Sequence, residues 1–219
     1  MPRYILTDVG NIMATFKFRA HLVQEIMLGV GITGLDLSGI FQSNTSKASD
    51  EDYYHDLDIG KIQVRDLWEK LIGHHGVSEK ILSYPLFFSL WCRHLQTIEG
   101  VVKLYSQLQK MFELVVVSNG DAEGVRHFVY HLIGSHGLKF REVFISGECG
   151  RKKPGLLEDV AAFVRSQGVS LSDCVFIDDL IPYVNAAKTL GIPSIRFDGS
   201  KQGVEELEAA LLKLGFSAP

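Results

Sequence analysis

The sequence predicts an α/β protein: a doubly wound parallel sheet with an inserted, mostly helical domain. Three observations lead to this prediction. From about residue 97 onward, short apolar runs alternate with amphipathic helical patterns, as in parallel sheets whose strands are covered on both faces. One more apolar run lies near the N-terminus, and a long stretch of helical periodicity separates it from the alternating part. Alternating strands and helices wind into parallel sheets with right-handed crossovers.

The first element is a strand at residues 4–8, where an apolar run ends in Asp8 and Gly10 follows. Two helical patterns come next, and we predict no strand between about residues 15 and 95. The apolar positions of these two helices are Phe18, Leu22, Val23, Ile26 and Met27, and then Ile62, Leu67, Leu71 and Ile72. A loop around Gly60 precedes the second helix, and residues 74–76 are expected to form a solvated loop. We therefore assign residues 1–13 and 96–219 to an α/β core domain and residues 14–95 to a helical insertion.

The alternating part continues this reading to the end of the chain. Strands are predicted at residues 114–117, 143–145, 174–177 and 192–197. Helices are predicted around and between them, the first through residues 101–111 and the last through residues 207–214. Gly168 and Gly191 mark two helix ends, because glycine is favoured just after a helix.

Composition and charge narrow the function classes. The chain carries 22 Lys and Arg against 26 Asp and Glu, a net charge of −4, so it lacks the basic balance that nucleic acids require. Its apolar runs are far shorter than the roughly 20 residues that span a bilayer. The three cysteines, Cys92, Cys149 and Cys174, form no Cys-x-x-Cys motif, so we predict neither disulfides nor a zinc site. We expect a cytoplasmic protein that has neither nucleic acid nor membrane as a partner.

Polar residues follow three of the predicted strands. Asp8 ends the first, Ser-Asn-Gly at 118–120 ends the second, and Asp-Asp at 178–179 follows the run that begins at Cys174. Lys-Lys-Pro at 152–154 directly precedes a helix. Ligands of open parallel sheets bind outside the carboxyl ends of the strands, so these groups are expected to converge there. Three carboxylates facing one another favour a cation among them, and a donor set of hard oxygen atoms favours Mg²⁺.

Together these motifs resemble the haloacid dehalogenase (HAD) superfamily. They are Asp-x-Gly-Asn at 8–11, Ser-Asn-Gly at 118–120, Lys-Pro at 153–154 and Ile-Asp-Asp at 177–179, and their order and spacing cover the whole chain. The helical insertion lies where the family places its C1-type cap domain. The resemblance implies a HAD-like Rossmannoid core and a Mg²⁺-dependent phosphatase that acts on a small phosphorylated metabolite.

The resemblance also implies a role for each matching residue. Asp8 would be the nucleophile that becomes an aspartyl-phosphate, and Ser118 would hydrogen-bond a phosphoryl oxygen beside the Asn119 backbone. Lys153, next to Pro154, would neutralise the nucleophile and the transferring group, whereas Lys152 is interpreted as its solvated neighbour. The Mg²⁺ ligands would be Asp8, the Gly10 carbonyl, Asp179, and Asp178 either directly or through water. The loop at residues 58–61 is expected to reach the site from the cap.

Gly10 departs from the family pattern. Most phosphatases of the family carry a second Asp at this position, as general acid and base, and losing such a group costs about 10²–10⁴ in rate. An alternative function is therefore a catalytically impaired protein that binds a phosphorylated ligand or a protein partner. A less favoured alternative is a haloacid dehalogenase, because that branch places a Tyr where Val9 stands here. The sequence leaves the oligomeric state unspecified.

Overall fold

The computed structural model describes residues 3–16, 19–33 and 53–219. Phe18, which the first helical pattern included, and residues 34–52 of the predicted insertion lie outside these ranges. The elements follow the chain in this order: β1 (Tyr4–Thr7), β2 (Ala14–Phe16), α1 (Arg19–Gly29), α2 (Tyr53–Asp58), α3 (Val64–His75), α4 (Tyr84–Trp91), β3 (Leu95–Thr97), α5 (Glu99–Leu108), β4 (Glu113–Ser118), α6 (Ala122–His136), β5 (Phe140–Ile145), α7 (Ser146–Cys149), α8 (Leu156–Ser166), β6 (Cys174–Asp178), α9 (Ile181–Thr189), β7 (Ser194–Arg196) and α10 (Val204–Lys213).

A five-stranded parallel sheet forms the centre of the fold, with the strand order β5-β4-β1-β6-β7. The three inner strands are apolar and buried along almost their whole length, because helices cover both faces of the sheet. One apolar cluster joins α5, α6 and α10 to one face, and a second joins α8 and α9 to the other. The predicted α/β class with a doubly wound parallel sheet is confirmed.

The helices α1, α3 and α4 pack on one another through an apolar cluster of their own. Leu22, Val23, Ile26 and Met27, the spacing that predicted α1, all face this cluster, as expected for an amphipathic helix that buries one side. Trp68 and Trp91 are also buried there. The division at residues 14 and 95 remains a prediction, although the described helices between them share this separate core.

Two short strands were missed. β2 and β3 form a two-stranded antiparallel sheet, in which Ala14 pairs with Thr97 and Phe16 with Leu95. Each strand has only three residues, which is too few for an alternating pattern to be recognised. The prediction of no strand between about residues 15 and 95 is therefore wrong at both ends of that range.

The helix ends differ from expectation in two places. His74 and His75 belong to the last turn of α3, and Gly76 caps that helix with a φ of 61°, so the loop predicted at residues 74–76 is wrong. α5 ends at Leu108, which leaves Met111 outside the helix and exposed. Among the described residues, no helix combines the length and hydropathy needed to cross a membrane.

Candidate active site

Three carboxylates meet where two central strands end. β1 and β6 are neighbours, with Thr7 opposite Ile177, so Asp8 and Asp178 leave the sheet side by side. Asp179 follows on the same edge, and one ligand oxygen from each of the three lies within 4.8 Å of the others. Asp178 is fully buried and Asp8 nearly so. The convergence expected at the carboxyl ends of the strands is present for these residues.

The Lys153 ammonium lies between two of these carboxylates. Its Nζ atom is 2.9 Å from an Asp8 oxygen and 2.6 Å from an Asp178 oxygen, and its side chain is fully buried. Three carboxylates therefore face one lysine, and a divalent cation would balance the remaining charge.

Burial and mutual repulsion shift the pKa values of this cluster. Burial and the negative Asp8 raise the pKa of Asp178 to about 7, more than Lys153 lowers it. Burial also raises the pKa of Asp179, against a hydrogen bond from Asn11. Burial lowers the pKa of Lys153, but Asp8 and Asp178 together outweigh it and hold the pKa above its ordinary value. The lysine therefore stays charged, while Asp178 and Asp179 resist ionising without a further cation.

Asn119 forms hydrogen bonds with both the Lys153 backbone and Tyr183. Its Oδ1 accepts a hydrogen bond from the Lys153 backbone N–H at 2.8 Å, and its Nδ2 donates to the Tyr183 hydroxyl at 3.1 Å. The Tyr183 ring lies 5.0 Å from Lys153 Nζ, within the range of a cation–π contact. Ser118 is buried at the end of β4, its Oγ 3.5 Å from the Asn119 carbonyl. The sequence analysis did not predict a role for Tyr183. The only indication in the sequence is that Tyr183 lies in the first turn of the helix that follows Asp179.

The loop after Asp8 is fixed by Asn11. This residue has a positive φ of 54°, a conformation that asparagine tolerates better than most residues. Its side chain donates to an Asp179 oxygen at 2.9 Å, and its carbonyl accepts from the Gly199 N–H at 2.6 Å. Asn11 therefore positions one predicted metal ligand, a role that the Asp-x-Gly-Asn motif alone did not indicate.

An ion-pair network joins the helical insertion to Asp121, which follows β4, and to Lys152, which follows α7. Arg19 of α1 lies 2.8 Å from Asp58 and 3.1 Å from Asp121, and Lys152 lies 2.8 Å from Asp58. The interpretation of Lys152 as merely solvated is therefore wrong, because the end of α2 brings a carboxylate to it. Burial raises the pKa of Asp58, but Arg19 and Lys152 more than reverse this and hold it below its usual value.

The loop at residues 58–61 also makes a close backbone approach to the sheet side. A Cβ atom built on Gly60 would stand 2.0 Å from the Gly147 carbonyl oxygen. Arg19 is close to the phosphate-binding candidate as well, since its Nη2 is 3.7 Å from the Cβ position of Gly120. Asp58 thus brings the insertion to the residue that precedes Lys153, and the loop around Gly60 lies against Gly147.

The donor set fits a hard divalent cation. All three side chains offer carboxylate oxygens, and their 4.8 Å spread is close to the roughly 4 Å that separates opposite ligands of Mg²⁺. Among the described residues, no other group of three or more His, Cys, Asp or Glu side chains brings its ligand atoms this close together. The Gly10 carbonyl, two residues beyond Asp8, remains a predicted fourth ligand.

Neither a protein-family model nor a curated protein matches the sequence, but solved structures match the fold. A HAD-family enzyme of Bacteroides thetaiotaomicron, solved with magnesium and inorganic phosphate, has a TM-score of 0.70 at 15% identity, over 94% of this chain and 99% of its own. A predicted HAD-like hydrolase of Porphyromonas gingivalis has a TM-score of 0.69 at 18% identity, over 96% of this chain and 98% of its own. An L-2-haloacid dehalogenase has a TM-score of 0.54 at 18% identity, over 89% of this chain and 83% of its own. This chain therefore has the fold of HAD-family hydrolases.

Proposed function

We propose that this chain is a Mg²⁺-dependent phosphatase of the HAD superfamily, which hydrolyses a small phosphorylated metabolite through an aspartyl-phosphate on Asp8. One observation carries the proposal: the carboxylates of Asp8, Asp178 and Asp179 lie within 4.8 Å of one another, with Lys153 Nζ between two of them. A carboxylate that attacks a phosphate dianion needs its repulsion cancelled, and this arrangement supplies one lysine and a place for one divalent cation.

The reaction has two displacements. A carboxylate oxygen of Asp8 attacks phosphorus, the bond from phosphorus to the leaving oxygen breaks, and that oxygen departs with the electron pair. Water then attacks phosphorus and gives up one proton to the solvent, the bond to Asp8 breaks, and inorganic phosphate leaves with Asp8 regenerated as a carboxylate. Lys153 stays protonated throughout and attracts one phosphoryl oxygen. Ser118 and the Asn119 backbone hydrogen-bond a second one.

Asp8, Asp178, Asp179 and the Gly10 carbonyl would hold the Mg²⁺ ion. Such an ion neutralises charge on a phosphoryl group and orients it for in-line attack. Asn11 keeps one carboxylate oxygen of Asp179 in place, and Lys153 does the same for Asp178. These contacts orient the ligands before any cation binds.

The helical insertion would act as a C1-type cap, with residues 1–13 and 96–219 as the core. In support of this, Arg19 and Asp58 of the insertion pair with Asp121 and Lys152 beside the candidate site. A cap in this position excludes water and bulky chains from the reacting groups. We therefore propose a small metabolite as the substrate, in preference to a phosphoprotein or a nucleic acid.

Turnover of para-nitrophenyl phosphate tests the proposal, because this leaving group needs no proton from the enzyme. We expect hydrolysis that requires Mg²⁺, stops in excess EDTA and falls at least about 10³-fold in Asp8→Asn, which removes the nucleophile. Glu208→Gln is the matched control: it also removes one carboxylate, from the exposed side of α10, and should hydrolyse at the wild-type rate. Full activity of Asp8→Asn, or of the wild type in EDTA, contradicts the mechanism.

A second candidate function is supported by Gly10, which lacks the carboxyl group of a general acid. In that case the protein binds a phosphorylated ligand or partner without turning it over. Inorganic phosphate would then bind to the Mg²⁺-loaded protein in calorimetry, while no phosphate ester in a panel that includes para-nitrophenyl phosphate would be hydrolysed. Halide release from L-2-chloropropionate, in the same panel, would instead point to a dehalogenase.

A further inference from the structure

An aromatic ring stands where a side chain at position 10 would point. A Cβ atom built on Gly10 would lie 3.4 and 3.5 Å from two ring carbons of Phe16. Apart from chain neighbours, no other atom of the described residues comes within 4 Å of that position. The side of the Asp8 loop that residue 10 faces is therefore covered by a hydrocarbon surface.

This ring is held at the rim of the candidate site by its strand. Phe16 ends β2 and pairs with Leu95, while Gly10 forms a β-bridge to Ala14 of the same strand. The side chain of Arg19, three residues further on, lies 3.7 Å from the Cβ position of Gly120. Phe16 nevertheless keeps 44% of its surface exposed, so part of its side chain is accessible to a ligand beside the Asp8 loop.

The nearby carboxyl groups all have partners of their own. Asp178 is paired with Lys153 and Asp179 with Asn11. Asp58 is held ionised between Arg19 and Lys152, which makes it a poor proton donor. A leaving group that rests on the Phe16 ring therefore meets an apolar surface in place of an acid.

We propose that Phe16 is a specificity-determining residue, whose ring contacts the leaving group and selects aryl or aromatic acyl phosphates. The inference rests on the proposed phosphatase function and deepens it. When Asp8 attacks phosphorus, the leaving oxygen keeps the electron pair of the broken bond. Phenolate and carboxylate oxygens are stable with that charge, whereas an alkoxide needs a proton. Contact with the ring therefore favours the same leaving groups that can depart without a general acid.

Binding of phosphonates tests the ring contact apart from catalysis, because their carbon–phosphorus bond is not a substrate for this chemistry. Calorimetry would compare phenylphosphonate with methylphosphonate on the Mg²⁺-loaded protein. We expect the wild type to bind phenylphosphonate about 10-fold more tightly, since an aromatic pair adds to the apolar area buried. In Phe16→Ala the two affinities should agree within about 3-fold.

Two further variants keep the result interpretable. Phe16→Leu preserves most of the volume of the side chain and should retain only part of the preference, so it replaces Phe16→Ala if that variant fails to fold. Leu212→Ala removes an exposed apolar side chain from α10 and should keep the full preference. Equal binding of the two phosphonates by the wild type, or an unchanged preference in both Phe16 variants, overturns the inference.

Turnover separates this inference from the function on which it rests. Benzoyl phosphate and acetyl phosphate have leaving groups of similar basicity, so their ratio of kcat/KM reports on contact with the ring. We expect benzoyl phosphate to be favoured about 10-fold by the wild type and not by Phe16→Ala. Equal turnover of both substrates overturns the role of Phe16 alone. Failure to bind either phosphonate and to hydrolyse either substrate overturns the phosphatase function, and the inference with it.

Discussion

Replacing Gly60 by alanine should separate the helical insertion from the sheet side. Gly60 has a positive φ of 69°, and a Cβ there would stand 2.0 Å from the Gly147 carbonyl oxygen, where ordinary contact begins at 3.4 Å. Gly60→Ala therefore combines backbone strain with a clash that requires a shift of about 1.4 Å between the two segments.

Gly76 provides a matched control for this change. It has a similar φ of 61°, and a Cβ there would meet nothing within 4 Å. Gly76→Ala should therefore lose only the cost of the left-handed conformation, about 1–2 kcal/mol. Gly60→Ala should lose that amount and, in addition, about 1–3 kcal/mol of overpacking, unless the loop moves away from Gly147.

Urea denaturation and para-nitrophenyl phosphate turnover measure the two ways in which the clash can be relieved. If the contact is kept, the free energy of unfolding of Gly60→Ala falls below that of Gly76→Ala. If the loop withdraws, stability resembles that of the control, but kcat/KM falls by up to about 10²-fold because Asp58 and Lys152 are displaced. A Gly60→Ala protein that matches Gly76→Ala in both measurements would refute the close approach of Gly60 to Gly147.

Three further predictions concern the cation, the missing acid and a buried histidine. Mg²⁺ at about 100 times its dissociation constant should raise the melting temperature by roughly 5–10 °C, because ligand binding adds about 2.7 kcal/mol, and a comparable rise in Asp179→Ala would argue against the metal role. Gly10→Asp should accelerate hydrolysis of alkyl phosphates by up to ~10²-fold, because it supplies a general acid, and a Cβ there would contact only the Phe16 ring among the described residues. A wild-type rate that is independent of leaving-group pKa, with phosphoryl transfer limiting, would mean that another residue donates the proton. Burial lowers the pKa of His94 from 6.5, so the unfolded chain takes up its proton first as the pH falls. The free energy of unfolding should then decline below about pH 6.5, by at most ~1.4 kcal/mol per pH unit, and denaturation curves of His94→Asn should lack that part of the slope.

The sheet and the carboxylate cluster were predictable because each has a local signal in the sequence. Four apolar residues at 114–117 or at 174–177 are recognisable as buried strands wherever they pair. The end of each strand then fixes where Asp8 and Asp178 emerge, because parallel strands share one carboxyl edge. The proximity of Asp8 and Asp178, which are far apart in the sequence, was therefore predictable from local sequence patterns.

The contacts that refine the site have no such signal. Tyr183 meets Asn119 across 64 positions of sequence, and Lys152 meets Asp58 across 94. Which side chains pair at such separations depends on how α2 and α9 pack against the rest of the fold, and not on the composition around either residue. The ring of Phe16 over Gly10 belongs to the same class, because it depends on a strand too short to be predicted.

The small sheet formed by β2 and β3 places the two ends of the predicted insertion next to each other. The Ile98 N–H donates to the Met13 carbonyl at 2.8 Å, directly beside the pair formed by Ala14 and Thr97. The chain before and after the predicted insertion is thus held together at one point, so a change in the length of the segment between these residues need not move β1 or α5. Lengthening a loop whose ends are already held together adds little entropy cost, about 0.6 kcal/mol per doubling. Replacement of the predicted insertion by an unrelated helical segment would therefore keep both junctions and the strand that ends at Asp8, and it would have to replace the contacts of Arg19, Asp58 and Gly60 with the rest of the chain.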